Sequence, residues 1–373
     1  MKKILMTGIT GLVGSAFATE LLKRDKDVEI IALTRGQGNR DALSRVKDTI
    51  REQCEFDGTP EFEKEAMSKI SVIKRNIASL IPSAKIDSLE DVDVVFHCAA
   101  DVNLGKDPYS KTYINNFQGT KNLLKTAKKL NAKAFHQVST AYVAGKNPGV
   151  AYEDGPRENP VFNNSYEKSK YNAEKLVRES GIPYTIYRPS IIVGNLRDGR
   201  IRRPLAFYRI LEFFAKMKKQ QCAKMGVLPH EPIHLTMHLQ ARHSKQIYFV
   251  PIDYVQKTIT DLFLLPPTNK TYHVTGRNPG ASDDIVKIGK ILLKIDGLDI
   301  VEKASQLSIK EKLVHKFLGD LMPYFSTEIT FDTKNVADAL GEDTLNWKVD
   351  YDATSVIIKE YYKNMFPEII GPS

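Results

Sequence analysis

The sequence predicts an α/β protein, a doubly wound parallel sheet joined to a smaller, mainly helical region, and three observations carry that expectation. A short apolar run, Lys3 to Met6, leads into Thr7-Gly8-Ile9-Thr10-Gly11-Leu12-Val13-Gly14 and then directly into Ala16, Phe17, Ala18, Leu21 and Leu22 at helical spacing. Continuous apolar runs of the buried parallel type then alternate with helical patterns as far as Gly194. Beyond that point the alternation weakens, returns once, and gives way to a lysine-rich helical tail.

Taken in order, the next strand is expected at Glu29 to Thr34. The charged stretch from Gly36 to Ser68 is too long for a simple loop, so one or two helices are expected around Asp41 to Arg51. Strands follow at Ile70 to Lys74, Val92 to Cys98, Ala134 to Ser139 and Tyr184 to Arg188, with helices such as Thr120 to Leu130 and Ser169 to Ser180 between them. Their connections are right-handed by default. The pattern returns at Ile247 to Leu265 and Thr271 to Thr275. A nucleotide-binding domain is therefore expected over residues 1–195, completed by about 246–278, with a substrate-binding subdomain from 196–245 and 279–373.

The 373 residues, 42% apolar and 27% charged, are enough to bury a full core. Cys54, Cys98 and Cys222 are far apart, which disfavours a disulfide framework or a structural zinc site and fits a reducing compartment. Neither a secretion signal nor an apolar run of membrane-spanning length is found, so the default expectation is cytoplasmic. A net charge of +9 favours anionic partners: a phosphorylated cofactor, an acidic carrier protein or a membrane surface.

Glycines at a strand-to-helix turn let the backbone approach a pyrophosphate, which the free N–H groups and the dipole of the helix N-terminus hold. Gly8, Gly11 and Gly14, with Thr10, Leu12 and Val13 between them, are the expected dinucleotide loop. Where the second strand ends, the place of the usual ribose-binding carboxylate is taken by Thr34 and Arg35. That favours NADP over NAD, because a guanidinium grips a 2′-phosphate that a carboxylate would repel; Arg45 on the following helix is the expected second contact.

Tyr166-Glu167-Lys168-Ser169-Lys170 places a phenol and an ammonium one turn apart at a helix start. Tyr142/Lys146 and Tyr171/Lys175 match the same spacing, but Tyr166 has Ser169, Ala173 and Glu174 around it, and Thr140 ends the strand before it. Over residues 1 to about 195 the chain resembles an extended short-chain dehydrogenase/reductase. The resemblance rests on Thr7-Gly8-x-x-Gly11-x-x-Gly14, His97-Cys98-Ala99-Ala100, Asn116-x-x-Gly119-Thr120, Ser139-Thr140-Ala141, Tyr166-x-x-x-Lys170 and Arg188-Pro189-Ser190, in order and spacing. Ser139-Thr140-Ala141-Tyr142-Val143, the insert after Arg35 and Pro251-Ile252-Asp253-Tyr254-Val255 look most like the thioester-reductase and fatty acyl-CoA reductase branch. Arg75-Asn76-Ile77 departs from the family's Gly-Asp-Leu, with Asn76 left as the adenine partner.

The resemblance implies that Tyr166 protonates the oxygen of a carbonyl receiving hydride, with Lys170 lowering its pKa and binding the nicotinamide ribose. Thr140 would donate to the same oxygen, Asn116 would order a proton relay, and Ala99, Ala100, Pro189 and Ser190 would line the cofactor site. Ser139 is a candidate second donor.

His230, His234, His238 and His243 lie close together, and His234 and His238 would share a face in a helix, but no acidic or cysteine ligand accompanies them, so no metal is expected. In Arg197 to Lys224 nine basic residues face only Asp198 and Glu212, interleaved with aromatic and aliphatic residues. Arg202 and Arg203 in this stretch are candidate contacts for a CoA phosphate, an acyl carrier protein or a lipid surface; nucleic acid is not expected. Together these residues describe an NADPH-dependent reductase acting on an acyl thioester, with a simple aldehyde or ketone reductase and a nucleotide-sugar epimerase as alternatives. Arg35 speaks against the epimerase, and the Tyr166/Lys170 pair against a protein that merely senses the cofactor.

Overall fold

The computed structural model describes residues 1–371 except 37, 39, 80–88, 90–91, 156, 241–245, 302–306 and 326. Its centre is a seven-stranded parallel sheet of β1 (Lys2–Thr7), β2 (Val28–Thr34), β3 (Ile70–Lys74), β4 (Val94–His97), β5 (Ala134–Val138), β6 (Tyr184–Pro189) and β7 (Lys270–Val274). They lie in the order β7-β6-β5-β4-β1-β2-β3. Ile4 pairs with Ile30 of β2 on one side and with Val94 of β4 on the other, so the strand order reverses at β1. Ligands bind such sheets at this switch point, beyond the carboxyl ends of the strands.

The strands form where the apolar runs predict, and β4 and β5 are buried at every residue because helices cover both faces. On one face α1 (Leu12–Arg24) and α6 (Ile252–Leu264) pack Phe17 and Phe263 onto Phe96, the Phe17 and Phe96 rings stacking at 3.9 Å. On the other, α3 (Lys111–Lys129) and α4 (Ser165–Arg178) bury Leu123, Leu124 and Val177 against Leu5, Val95 and Phe135. The insert after β2 folds as α2 (Ala42–Asp57), capped by Asp41 through Ser44 N at 2.9 Å, followed by a short helix at Glu63–Ser68.

A second apolar core gathers α5 (Tyr208–Met225), α7 (Ser282–Leu293), α8 (Ile309–Leu318) and α9 (Tyr351–Met365) around Phe207, Tyr208, Leu211, Ile288 and Tyr362. This part holds more strand than its composition suggests. Ile233–Gln240 pairs in parallel with Ile295–Val301, so His234 and His238 share a face through the two-residue period of a strand, not through a helix. Among the described residues no helix is long and apolar enough to cross a membrane.

Candidate functional site

The glycine turn is shaped for close contact. Gly8 has φ +81°, and a Cβ there would meet Ala99 N at 2.5 Å; one on Gly14 would meet Gly8 O at 2.1 Å. Helix α1 starts at Gly11 with no side-chain cap and no acidic residue in its first turn, so its leading N–H groups face the end of β1 ready for an anion. Leu12 and Val13 supply the first of them. Beside the turn, Thr7 Oγ1 lies 2.7 Å from His97 Nδ1 and accepts from Ala99 N at 3.2 Å, while His97 Nε2 is 3.1 Å from Thr120 Oγ1. Burial, with the Lys170 charge adding, pulls His97 down to about 3, so it is a neutral strut between β1, β4 and α3. Ala99 and Ala100 follow it at the switch point.

At the adenosine end, Arg35, Gly36, Gly38, Arg40, Asp41, Lys74, Arg75, Asn76 and Ser79 line a cavity of about 700 Å³. Its only carboxylate among the described residues, Asp41, is occupied by Ser44 N and Oγ, both at 2.9 Å. Asn76 turns its Oδ1 to Ala78 N at 3.0 Å. Arg45 donates to Arg35 O and, at 3.3 Å, to Thr10 Oγ1; burial and then the charges of Arg35, Arg203 and Arg40 depress its proton affinity. Sequence reasoning missed Arg40, Lys74 and Arg75, although Lys74 and Arg75 stand where β3 ends and that position is itself the signal.

At the other end, Lys170 Nζ donates to Val138 O at 2.6 Å, so its ammonium sits against the last residue of β5, two residues before Thr140. Burial pulls this lysine down to about 8. Half-buried Tyr166 lies one turn earlier on α4, which Asn164 caps through Glu167 N at 3.0 Å. Its phenol is not lowered as expected. Burial, with Cys98 and Glu167 adding, pushes it above the ordinary range. The other two tyrosines are directed elsewhere: Tyr171 donates to Arg157 O at 2.9 Å, and Tyr142 is buried edge-on against Tyr324 at 4.8 Å. Thr140 Oγ1 accepts from Tyr142 N at 3.3 Å and reaches Pro189 O at 3.5 Å. Ser190 Oγ accepts from Thr275 Oγ1 at 2.8 Å.

Asn116 links two segments. Its Oδ1 accepts from Asp101 N at 2.7 Å, and its Nδ2 donates to Asp101 O at 3.0 Å and Ser169 Oγ at 2.9 Å, tying the loop after β4 to α4. Ser139 lies beside the fully buried Glu174 and lowers its proton affinity. Glu174 receives Arg188 in a bidentate pair at 3.0 and 2.7 Å, and Arg188 continues to Tyr152 O at 3.3 Å. The glutamate and arginine of the two motifs are thus one buried brace, which fixes α4 on β6. From the second core, Tyr324 donates to Glu167 Oε1 at 2.6 Å and accepts from Asn164 at 2.7 Å, anchoring the start of α4.

Arg202 and Arg203 are placed apart from the α5 surface. Arg202 bonds Ser15 Oγ at 2.7 Å and Gly11 O at 3.2 Å, and Arg203 bonds Thr10 O at 3.0 Å, so both lie on the glycine turn. Among the described residues no group of histidines, cysteines and carboxylates is arranged to hold a metal. His234 faces Asp296 at 3.3 Å, His238 faces Glu311 at 2.9 Å, and His243 lies outside the described residues.

A doubly wound sheet with a glycine turn at its switch point and a tyrosine–lysine pair beyond β5 defines an NAD(P)-dependent oxidoreductase of the extended short-chain dehydrogenase/reductase class. Within that class the chain belongs to the NAD-binding family described as male sterility protein, whose profile matches residues 6–259. It is similar to a linear gramicidin synthase polypeptide of Brevibacillus parabrevis, 27% identical over 295 residues, or 76% of this chain and 5% of that protein. The chain spans between 5% and 32% of the length of the curated relatives it matches first. Among solved structures, the terminal R domain from the myxalamid PKS-NRPS biosynthetic pathway superposes with a TM-score of 0.74 at 24% identity, covering 98% of this chain and 92% of that one. A thiolation-reductase di-domain from an archaeal non-ribosomal peptide synthetase superposes with a TM-score of 0.69 at 21% identity, covering 99% and 91%.

Proposed function

We propose that the protein is an NADPH-dependent reductase that converts an acyl thioester to an aldehyde. The observation that carries this reading is the Lys170 ammonium held at the carboxyl end of β5, with Thr140 two residues beyond that end and Tyr166 one turn before Lys170 on α4. Bound NADPH supplies the hydride to the thioester carbonyl carbon. Tyr166 gives its proton to the carbonyl oxygen, and Thr140 donates a hydrogen bond to it as negative charge develops there. The high proton affinity that burial confers on Tyr166 keeps it in the donor form through neutral pH. The resulting hemithioacetal collapses as the C–S bond breaks: the oxygen returns its proton to Tyr166, the departing thiolate takes a proton from solvent, and the aldehyde remains. Lys170 holds the ribose hydroxyls, and Asn116 and Ser169 keep α4 against the loop after β4. NADPH oxidation accompanied by release of one thiol per aldehyde, with the product identified by mass spectrometry, tests the reaction. Aldehyde or ketone reduction with no thiol released from any acyl-CoA or carrier thioester rejects it.

The preference for NADPH is supported by the cationic cavity at the end of β2 and β3. Arg35→Ala is expected to weaken NADPH binding by at least ~1.5 kcal/mol, the scale of a charge-assisted hydrogen bond, and to leave NADH almost unchanged. Equal losses in titrations of the two cofactors would remove Arg35 from the 2′-phosphate.

A carrier-bound substrate is supported by a second cavity. A groove of about 490 Å³ runs between α5 and α8, floored by Phe213, Met217, Leu235, Met237, Leu313 and Phe317 and rimmed by Arg209, Lys216, Lys224 and Lys310. Glu212, the only acid on the rim among the described residues, is paired with Lys216. An apolar floor inside a positive rim suits an acidic carrier protein. Lys224→Glu with Lys310→Glu is expected to raise KM for a carrier thioester roughly tenfold while leaving the KM of a free aldehyde unchanged, and added salt should mimic the effect. Equal KM values for the carrier substrate in the variant and the parent would remove the groove from carrier recognition.

A further inference from the structure

Between the strand Ile191–Val193 and α5 the chain does not stay with the second core. Residues 200–203 cross back over the first. Arg200 stacks over the Phe56 ring of α2 at 5.6 Å. Arg202 is fully engaged there, by Gln53 and Glu52 at 3.0 Å each and by Gly11 O and Ser15 Oγ, so it acts as the pin of this strap. Arg203 is different. It is exposed, and one of its guanidinium nitrogens donates to Thr10 O at 3.0 Å.

No carboxylate pairs with Arg203, Arg35, Arg40 or Arg45 among the described residues, yet Arg45 and Arg203 both bond Thr10, Arg35 and Arg40 line the cavity beyond β2, and the charges of the other three all act on Arg45. Like charges gathered without a counter-charge repel one another, and the arrangement is favourable only when an anion joins them. A pyrophosphate already has the N–H groups of α1. The remaining phosphate of the proposed cofactor is the one on the adenosine ribose.

We propose that Arg203 is a cofactor-binding residue, contributed by the strap that leads into the second core, which closes with Arg35 and Arg45 on the 2′-phosphate of NADPH. The inference rests on the NADPH reading above and extends it, because it makes cofactor binding a contact between the nucleotide loop and the chain entering the second core. Arg202, whose bonds fix the strap on α1 and α2, is its positioning residue.

The test is binding, not turnover. NADPH, NADH, adenosine 2′,5′-bisphosphate and 5′-AMP are titrated into the parent protein, Arg203→Gln and Arg203→Lys. Arg203→Gln is expected to weaken NADPH and adenosine 2′,5′-bisphosphate about tenfold each, with NADH and 5′-AMP changed less than twofold, and Arg203→Lys to recover most of the loss. Arg203 is exposed, so the variants are expected to keep the parent's thermal midpoint, and their unchanged binding of NADH and 5′-AMP shows that the nucleotide site is folded. A parent that binds NADPH no tighter than NADH overturns the NADPH reading and this inference with it. A preference for NADPH that survives intact in Arg203→Gln, or equal weakening of NADPH and NADH, overturns the inference alone.

Discussion

Tyr166→Phe is expected to lower kcat by roughly 10²-fold or more while NADPH affinity stays within about twofold, since the substitution removes one acidic proton and no cofactor contact. Tyr171→Phe is the informative control. Its hydroxyl donates to Arg157 O, so a fall in kcat of no more than about twofold is expected. Steady-state kinetics on the two variants decide the register of α4: a greater loss in Tyr171→Phe than in Tyr166→Phe would place the wrong face of the helix at the reacting carbonyl. Geometry favours Tyr166, because Lys170 is buried against Val138 O and the residue one turn before it, at the carboxyl end of the sheet, is Tyr166.

Glu174→Leu is expected to destabilise the protein by about 3–5 kcal/mol, a large part of the stability of a typical domain. The glutamate is fully buried and Arg188 is nearly so, and their paired bonds are the shortest charge contacts of Glu174, with Arg178 further off at 3.7 Å. Burial works against the carboxylate, but Arg188, with Arg178 and Ser139 adding, holds it below the ordinary range, so it is ionised at neutral pH. Removing it takes both charge-assisted bonds from a buried guanidinium. Replacing both, Glu174→Leu with Arg188→Met, is expected to recover at least half of the loss, because two apolar groups leave no unpaired charge. The midpoint of urea unfolding measures both. A single variant that loses less than about 1 kcal/mol would show that the pair does not brace α4 on β6.

These two residues differ in how far local sequence announces them. Tyr166-x-x-x-Lys170 is a spacing within one helical turn, so it can be read directly, and the Ser169, Ala173 and Glu174 around it select it from three matches. What Glu174 does could not be read, because its partner is on another strand. The same holds for Ser139, a candidate second donor or simply a strand-end residue by its sequence, which lies near that carboxylate.

The strands β1 to β6, the handover of strand to helix at Gly8 to Gly14 and the helix after Arg35 were legible because each depends on periodicity or turn chemistry within a dozen residues. Ile233 to Gln240 was not, since its apolar and polar residues alternate loosely and it becomes a strand only by pairing with Ile295 to Val301, far along the chain. Arg202 and Arg203 show the limit most clearly. Their sequence neighbours make them part of a basic, aromatic-rich segment, yet they lie 149 residues from Gln53 and 193 from Thr10, the groups they touch. Local spacing alone was enough for the sheet and the glycine turn at its switch point, and for proposing the tyrosine–lysine pair. Which charges meet was settled by packing, because a long side chain's partner is chosen by where the folded core carries it, and no local pattern encodes that distance.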